Sequence, residues 1–536
     1  MVSVFNCFLR RLNLPQDLLA TDLNRTLSTK GLSVLGISTV VGGGLFIYPG
    51  IFAHDVAGPA IIISLLIAAL AACLTVFSYA EFGSRIPKTG SAYTYTYVTL
   101  GELFAFVVGW NFYLEHVFLL ASGSKAFAAG LQFALSHVFG IESFQTSIVE
   151  HIFICTLILL MFTIAILGVE ATELNLFISL LVVLTSCFIC LIGGLFYIDF
   201  SNWGSSLSDF VPFGTQSIFN GAAKMFVLFT GFESVCIGAE EAINPAKSVP
   251  RSLLITFFAT TTLYFIMTSL ITLLVPYQDI RVENPLIYAF QENGNLYLSM
   301  VVDVGFVIAL SMNVLVNMYT APRCLYVLAF DGLIFKGIST LTTSTRVPYI
   351  ALIITAVLAG TLASIFSIVS LSEMVSSGIL LAYTVVPLCV IIVHYSVIDP
   401  VANIKTVSKS NDTMNLFAKF LITLFVVCIL LSNIYWNFLR KSMENVTSAL
   451  TSYIFGLGLI FLNVTCIVVL HISCPKNKLV QQSDEGTYWA PFVPYLPVFR
   501  FVLWNALGLI IYFSYGTRNS KMSLFNDETK VSLISK

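Results

Sequence analysis

Two long apolar stretches of this chain are interrupted by glycine, the first at Gly42-Gly43-Gly44 and the sixth at Gly231-Phe232-Glu233. A bilayer interior offers no water to backbone N–H and C=O groups. A helix crossing it therefore unwinds only where protein or a ligand cavity takes over those groups. Interruptions at matching positions of two halves point to a binding site near mid-membrane, the arrangement found in secondary carriers.

Only 10% of the residues are charged, where a soluble domain carries roughly 25%. Most of the chain must therefore sit in lipid. A helix needs about 20 apolar residues to cross a core of about 30 Å. That length predicts spans near 31–52, 58–81, 102–124, 150–168, 174–198, 218–240, 252–276, 297–319, 348–368, 372–394, 416–433, 450–471 and 495–515, about thirteen in all. The fold class expected is an all-α integral membrane protein. Residues 1–30 hold Arg10, Arg11, Asp17, Asp22, Arg25 and Lys30 without a compact apolar core and cleavage site, and read as a cytosolic N-terminal tail.

Spans one to five (31–198) and six to ten (218–394) each open with a glycine-broken helix. Five is odd, so the second set inserts upside down relative to the first, giving a 5+5 inverted repeat. About three accessory C-terminal spans (416–515) and a tail (516–536) follow.

Lys and Arg set the orientation. With the N-terminus cytosolic, the inner segments collect most basic residues, among them Arg85, Lys88, Lys247, Arg251, Arg323, Lys336 and Arg346. The outer loops hold only Arg281, Arg440 and Lys441. The sequon at Asn445 then faces outward as a glycosylation candidate, whereas that at Asn463 falls within a span. An odd number of spans leaves Arg518, Lys521, Lys530 and Lys536 outside, against the same rule.

Glycine lets the backbone leave helical geometry at Val40-Val41-Gly42-Gly43-Gly44. Amide N–H groups at the start of the second half-helix lie at a positive dipole end and suit a carboxylate. The carbonyl ends of the first half-helices suit an ammonium group. Together they make a site for a zwitterionic amino acid. Close packing of small residues between helices is the competing reading of a glycine run.

In span six, Phe229, Gly231, Phe232, Glu233 and Ser234 surround the second break. A carboxylate at mid-bilayer costs at least ~2.5–3.5 kcal/mol, which makes Glu233 a functional candidate for an amine contact or a gate. A neutral or helix-paired structural carboxyl is the alternative. Phe229 and Phe232 are candidate occluding rings. Glu240 and Glu241, at the cytosolic end of the same span, are expected to close an inner gate by pairing with basic loop residues such as Lys247 or Arg85; a solvated helix end would carry the same residues.

Span three carries Glu115, His116 and Lys125. Adjacent helical residues point about 100° apart, so Glu115 is assigned to the cavity, His116 to packing or the interface, and Lys125 to snorkelling toward the outer surface. Asn313 and Asn317 of span eight share one face, and either line the side-chain end of the pocket or hydrogen-bond across helices.

Other classes of function find little support. Net charge is −2 with no basic tail, so no nucleic-acid partner is expected. The six histidines are scattered over different elements, which argues against an enzyme. Cys187 and Cys190 have CxxC spacing but sit in a lipid-depth helix without further ligands, so neither a metal nor a cofactor is expected.

The stretches Val40–Gly50 (VVGGGLFIYPG), Tyr79–Tyr93 (YAEFGSRIPKTGSAY), Gly101–Asn111 (GELFAFVVGWN), Gly231–Pro250 (GFESVCIGAEEAINPAKSVP) and Ala321–Phe335 (APRCLYVLAFDGLIF) resemble the cationic amino-acid transporter family of the amino acid–polyamine–organocation superfamily. The resemblance runs from about residue 26 to 396 and returns at Pro491–Gly516. It implies a LeuT-like fold and sodium-independent carriage of arginine, lysine or ornithine by alternating access across the plasma membrane, with an intracellular membrane as the other option. It also implies substrate contacts at Val40, Gly42–Gly44, Phe229, Gly231, Glu233 and Ser234, and a specificity wall on span eight.

Several residues depart from that pattern. Family members usually have Asp at the Glu233 position, often an aromatic at Val227 and a small residue at Val316. Glu115 resembles proton-linked bacterial relatives, yet the span-five lysine of those relatives is absent from 174–198. Members also usually have one span more, and Pro497-Val-Phe-Arg500 runs directly into the last span as if one were missing there. Nothing in the sequence requires an accessory subunit. A neutral amino-acid carrier and a non-transporting amino-acid sensor would share every motif above.

Overall fold

Ser28 opens the first span, its hydroxyl accepting a hydrogen bond from the Gly31 N–H at 3.2 Å to cap helix α1 (Thr29–Val41). This computed structural model describes residues 10–12, 21–139, 146–281 and 284–395. The expected accessory spans 416–515, the tail 516–536, and Asn445 and Asn463 lie outside the described residues.

Beyond α1 the main helices are α2 (Gly44–Phe52), α3 (Ile61–Arg85), α4 (Ala92–Thr99), α5 (Glu102–Phe139), α6 (Ser147–Ile166) and α7 (Val169–Gly194). The second set comprises α8 (Thr215–Met225), the single turn α9 (Ser234–Ile237), α10 (Pro245–Leu274), α11 (Pro285–Glu292), α12 (Leu296–Phe330), α13 (Tyr349–Ile365) and α14 (Ile368–Tyr395). Each of the first ten expected spans is thus met by helix. Among the described residues, seven helical segments are long and apolar enough to cross a membrane, one of them (Thr29–Arg85) containing spans one and two together. The extended pairing seen among those residues is one parallel bridge, Leu27 to Ala242.

Capping and proline chemistry set several boundaries. Thr146 and Asn295 accept N–H groups at the starts of α6 and α12. Pro245 sits at the first position of α10, where its missing N–H costs nothing. Between α6 and α7, Gly168 adopts φ 110° and makes the sharp reversal. The short helices α4 and α11 lie in connections that sequence reasoning left without structure.

Two groups of helices pack within themselves. Helix α10 lies against α1 and α3, and α3 also holds α8; separately, α12 lies against α5, α7 and α13. Helix α14 bridges α5, α4 and α3. The outer faces are apolar and bare: Leu159 is 66% exposed, Phe188 62% and Val357 65%, a surface suited to lipid and not to water.

Two spans are longer than apolarity alone indicates. Helix α12 continues inward past residue 319 to carry Arg323, and α5 continues outward past 124. Lys125 does not snorkel: its Nζ lies 3.5 Å from Glu150 Oε1 and 3.2 Å from the Ala363 carbonyl, tying α5 to α6 and α13. The segment leading into α1 is stitched down. Leu27 N–H donates to the Glu241 carbonyl at 2.9 Å, and Ile243 N–H donates to the Leu27 carbonyl at 3.0 Å.

Candidate functional site

The first break is short and sharp. Helix α1 stops at Val41, Gly42 turns with φ 20° and ψ −171°, and α2 starts at Gly44. A Cβ on Gly43 would lie 2.4 Å from Leu310 Cδ2 of α12, so close approach favours glycine there. The Phe46 N–H of α2 donates to the Gly43 carbonyl at 3.2 Å, which leaves the Gly44 and Leu45 N–H groups without a partner in their own helix. The Val40 carbonyl, by contrast, already accepts the Tyr264 hydroxyl of α10 at 2.7 Å. That hydroxyl thus answers part of the need assigned on sequence grounds to a substrate ammonium.

The second break is longer. A 3-10 turn over Phe226–Phe229 leads to Thr230 in extended geometry, and Gly231 follows at φ 115°, a region costly for residues with a Cβ. A Cβ on Gly231 would also meet Thr39 Cγ2 at 2.7 Å. The two interruptions therefore touch. Thr39 Oγ1 and Ser234 Oγ lie 2.8 Å apart, and each also faces a carbonyl, Leu35 at 2.7 Å and Gly231 at 2.8 Å, so two hydroxyl protons are shared among three contacts.

Glu233 is fully buried beside this junction. Its Oε2 accepts from the Tyr383 hydroxyl at 2.5 Å and from the Gly231 N–H at 3.0 Å. Among the described residues Oε1 has no hydrogen-bond partner. One oxygen is thus anchored and the other is available to a donor, the arrangement a bound amine requires.

Tyr383, from α14, was not singled out by sequence reasoning. A tyrosine hydroxyl at membrane depth has to find a partner, but nothing in the linear sequence says which. Its ring stacks on Phe232 at 4.8 Å, and Tyr79 of α3 stands edge-on to both, at 5.4 Å from Phe232 and 5.8 Å from Tyr383. Phe229 goes elsewhere, 6.1 Å from both Phe257 and Tyr264 of α10. The two rings proposed together as occluders part company, and only Phe232 stays with Glu233.

Glu115 and His116 are both buried, on different sides of α5. Glu115 accepts the backbone N–H of Ile379 in α14. His116 Nδ1 lies 3.0 Å from Asn317 Oδ1, so it packs against α12 through a polar contact and is not interfacial. Asn317 Nδ2 donates to the Asn313 carbonyl at 2.9 Å and to its Oδ1 at 3.2 Å. Asn313 Nδ2 lies 3.2 Å from where a Gly42 Cβ would be, which places Asn313 at the first break.

Glu240 and Glu241 are paired, but not with Lys247 or Arg85. Lys247 is exposed, and Arg85 pairs with Glu81 at 3.0 Å one helical turn away. Glu240 instead takes Lys88 at 3.2 Å and the Thr89 N–H and hydroxyl at 3.0 and 2.7 Å. Glu241 takes Arg323 Nη2 at 2.7 Å and Nε at 3.1 Å, with the Tyr319 hydroxyl also donating to it. The Arg323 guanidinium lies 3.5 Å over the Tyr319 ring. Lys88 lies three residues from the expected Arg85, which Glu81 already holds. Among the described residues, no three His, Cys, Asp or Glu gather as a metal site would require.

The amino acid permease family model matches residues 27–460. Cationic amino acid transporter 4 of Mus musculus is 29% identical over 96% of this chain and 91% of its own length. A vacuolar cationic amino acid transporter 4 of Arabidopsis thaliana is 28% identical over 94% and 93%. The methylthioribose transporter of Bacillus subtilis is 33% identical over 69% of this chain and 82% of its own.

Proposed function

The chain belongs to the amino acid permease family, whose members are multi-pass membrane transporters and not enzymes, and from that premise we propose that it carries cationic L-amino acids (arginine, lysine or ornithine) by sodium-independent alternating access. One observation carries the reading. Two interrupted helices meet at Thr39, Gly231 and Ser234, with one oxygen of a fully buried Glu233 unpartnered among the described residues. The substrate carboxylate is assigned to the N–H groups opening α2, and the α-ammonium to Glu233 Oε1 and to carbonyls at the breaks. Phe232, stacked on Tyr383, seals the site.

The 5+5 inverted repeat supplies the motion in this reading. Spans one, two, six and seven rock against three, four, eight and nine, the grouping that the helix packing also favours. Glu240–Lys88 and Glu241–Arg323 hold the inner end shut. A cationic substrate is supported by the names of the mammalian and plant relatives. The plasma membrane is proposed, with an intracellular membrane as the variant suggested by the vacuolar relative.

A neutral amino-acid carrier is the second reading. Val316 is fully buried near Asn313 and Asn317, and a Bacillus subtilis relative 30% identical over 71% of this chain is named as a branched-chain amino acid permease. Uptake of labelled arginine, lysine, ornithine and leucine into proteoliposomes, at two pH values with and without sodium, separates these. Saturable, sodium-independent arginine uptake is expected. Leucine carried in preference to arginine overturns the cationic assignment, and binding without flux identifies a sensor.

A further inference from the structure

His116 is fully buried and meets α12 through Asn317. Its surroundings decide more than packing. Asn317 Nδ2 faces two oxygens of Asn313, one of them the backbone carbonyl at 2.9 Å. A carbonyl oxygen only accepts, so the amide atom facing it must be the nitrogen. The other amide atom, Oδ1, is then the one 3.0 Å from His116 Nδ1, and Nδ1 must carry the proton. Thr320 Oγ1, 3.3 Å from the same nitrogen, is itself spent on the Val316 carbonyl at 3.1 Å.

The far side of the ring agrees. Among the described residues Nε2 has no hydrogen-bond partner, and Phe112 stands edge-on to the imidazole at 4.8 Å. A bare lone pair is tolerated there more readily than a buried N–H with no acceptor.

The polarity propagates. With Asn317 Nδ2 bonded to Asn313 Oδ1, the Asn313 amide must turn its NH2 toward Gly42, where Nδ2 is found. Were the imidazole proton on Nε2, Asn317 would have to turn its nitrogen to the histidine, and the preference for an Asn313 N–H donor at the break would be lost.

We propose that His116 is a positioning residue which, through Asn317, fixes the amide of Asn313 with its N–H groups directed at the first helix break, and thereby helps hold the substrate carboxylate there. The inference rests on the amino-acid transport reading. It assigns His116 no contact with substrate.

The test exploits an asymmetry between two amides. The side-chain nitrogen of Asn can stand where Nδ1 stands, whereas that of Gln reaches the Nε2 position. Arginine and leucine uptake would be measured in proteoliposomes for the parent protein, His116→Asn, His116→Gln and His116→Phe, with thermal stability followed in parallel. We expect His116→Asn to keep the parent's KM for both arginine and leucine, and His116→Gln and His116→Phe to raise both about tenfold, the effect of one hydrogen bond. Maximal rates should hold within about twofold, since no transporting group is touched. A role in packing alone would instead favour Gln and Phe, which fill the space better, and would leave both KM values unmoved. Either result overturns the proposal. Nitrogen-15 NMR of the histidine-labelled parent should show a proton on Nδ1 of His116, and a proton on Nε2 overturns it independently. A parent protein that carries no amino acid at all sinks the transport reading and the carboxylate-holding role together, while the NMR signal still decides whether the relay exists.

Discussion

Thr39 and Ser234, 195 positions apart in the chain, share a hydroxyl hydrogen bond of 2.8 Å, and it joins the two interrupted helices at their breaks. The contact is possible because Gly231 offers no Cβ to the Thr39 side chain. Any residue larger than glycine at 231 pays twice, in backbone conformation and in the 2.7 Å approach to Thr39 Cγ2.

Gly231→Ala should therefore reduce uptake by at least about tenfold, since φ near the left-handed region alone costs a Cβ-bearing residue roughly 1–2 kcal/mol. Gly43→Trp should abolish uptake, because Leu310 already occupies the space. Surface biotinylation beside labelled uptake checks both. Normal uptake at normal surface density in either variant would be fatal to the site as described.

Glu233→Gln keeps an acceptor for Tyr383 but removes the charge. Affinity for amino acid should fall by about tenfold or more, the worth of a charge-assisted hydrogen bond, while thermal stability is retained because an uncharged amide is cheaper to bury. Isothermal titration and a melting curve on the same purified sample read the two effects. Unchanged affinity would reassign Glu233 to structure.

Tyr383→Phe removes the hydroxyl that anchors Glu233 Oε2. Combined with Glu233→Gln in a double-mutant cycle, it should give a coupling of about 0.5–3 kcal/mol in substrate affinity. Strict additivity would show that the two residues act separately.

At the inner end, Arg323→Met leaves Glu241 buried without its cation and should destabilise the protein by about 3–5 kcal/mol. Lys88→Gln, which breaks the more exposed pair with Glu240, should cost only about 0–1 kcal/mol. Thermal melts rank them. Solvent access at this end, read by thiol labelling of a cysteine placed at the buried Ala239, should rise more for the first than for the second. Equal effects would count against Glu241–Arg323 as the principal closure.

The helical class and the helices at ten of the expected span positions were legible because each is local. Apolar run length locates a helix, and glycine runs announce where one fails. What escaped depended on contacts between distant segments. Tyr383 looks like any aromatic in an apolar run until Glu233 is folded against it. Lys88 and Arg323 are 152 and 82 residues from their acidic partners, while Lys247 and Arg85 were favoured by proximity along the chain or to the helix end. His116 was set aside because adjacent residues cannot share one helical face. That geometric statement is correct, but it says nothing about whether the opposite face is also buried. The longer reach of α12 was missed because Arg323 looked like the end of a span, when its charge is met inside the protein by Glu241.

The fastening of Leu27 on both sides of Ala242 gives the leading segment a mechanical part in whatever span six does. Outward swing of the inner half of that span must either peel this seam open or haul the leading segment along with it. A fluorophore attached at Asn24 should therefore change its emission when substrate is added. A silent probe would mean that the seam stays sewn to a part that never moves.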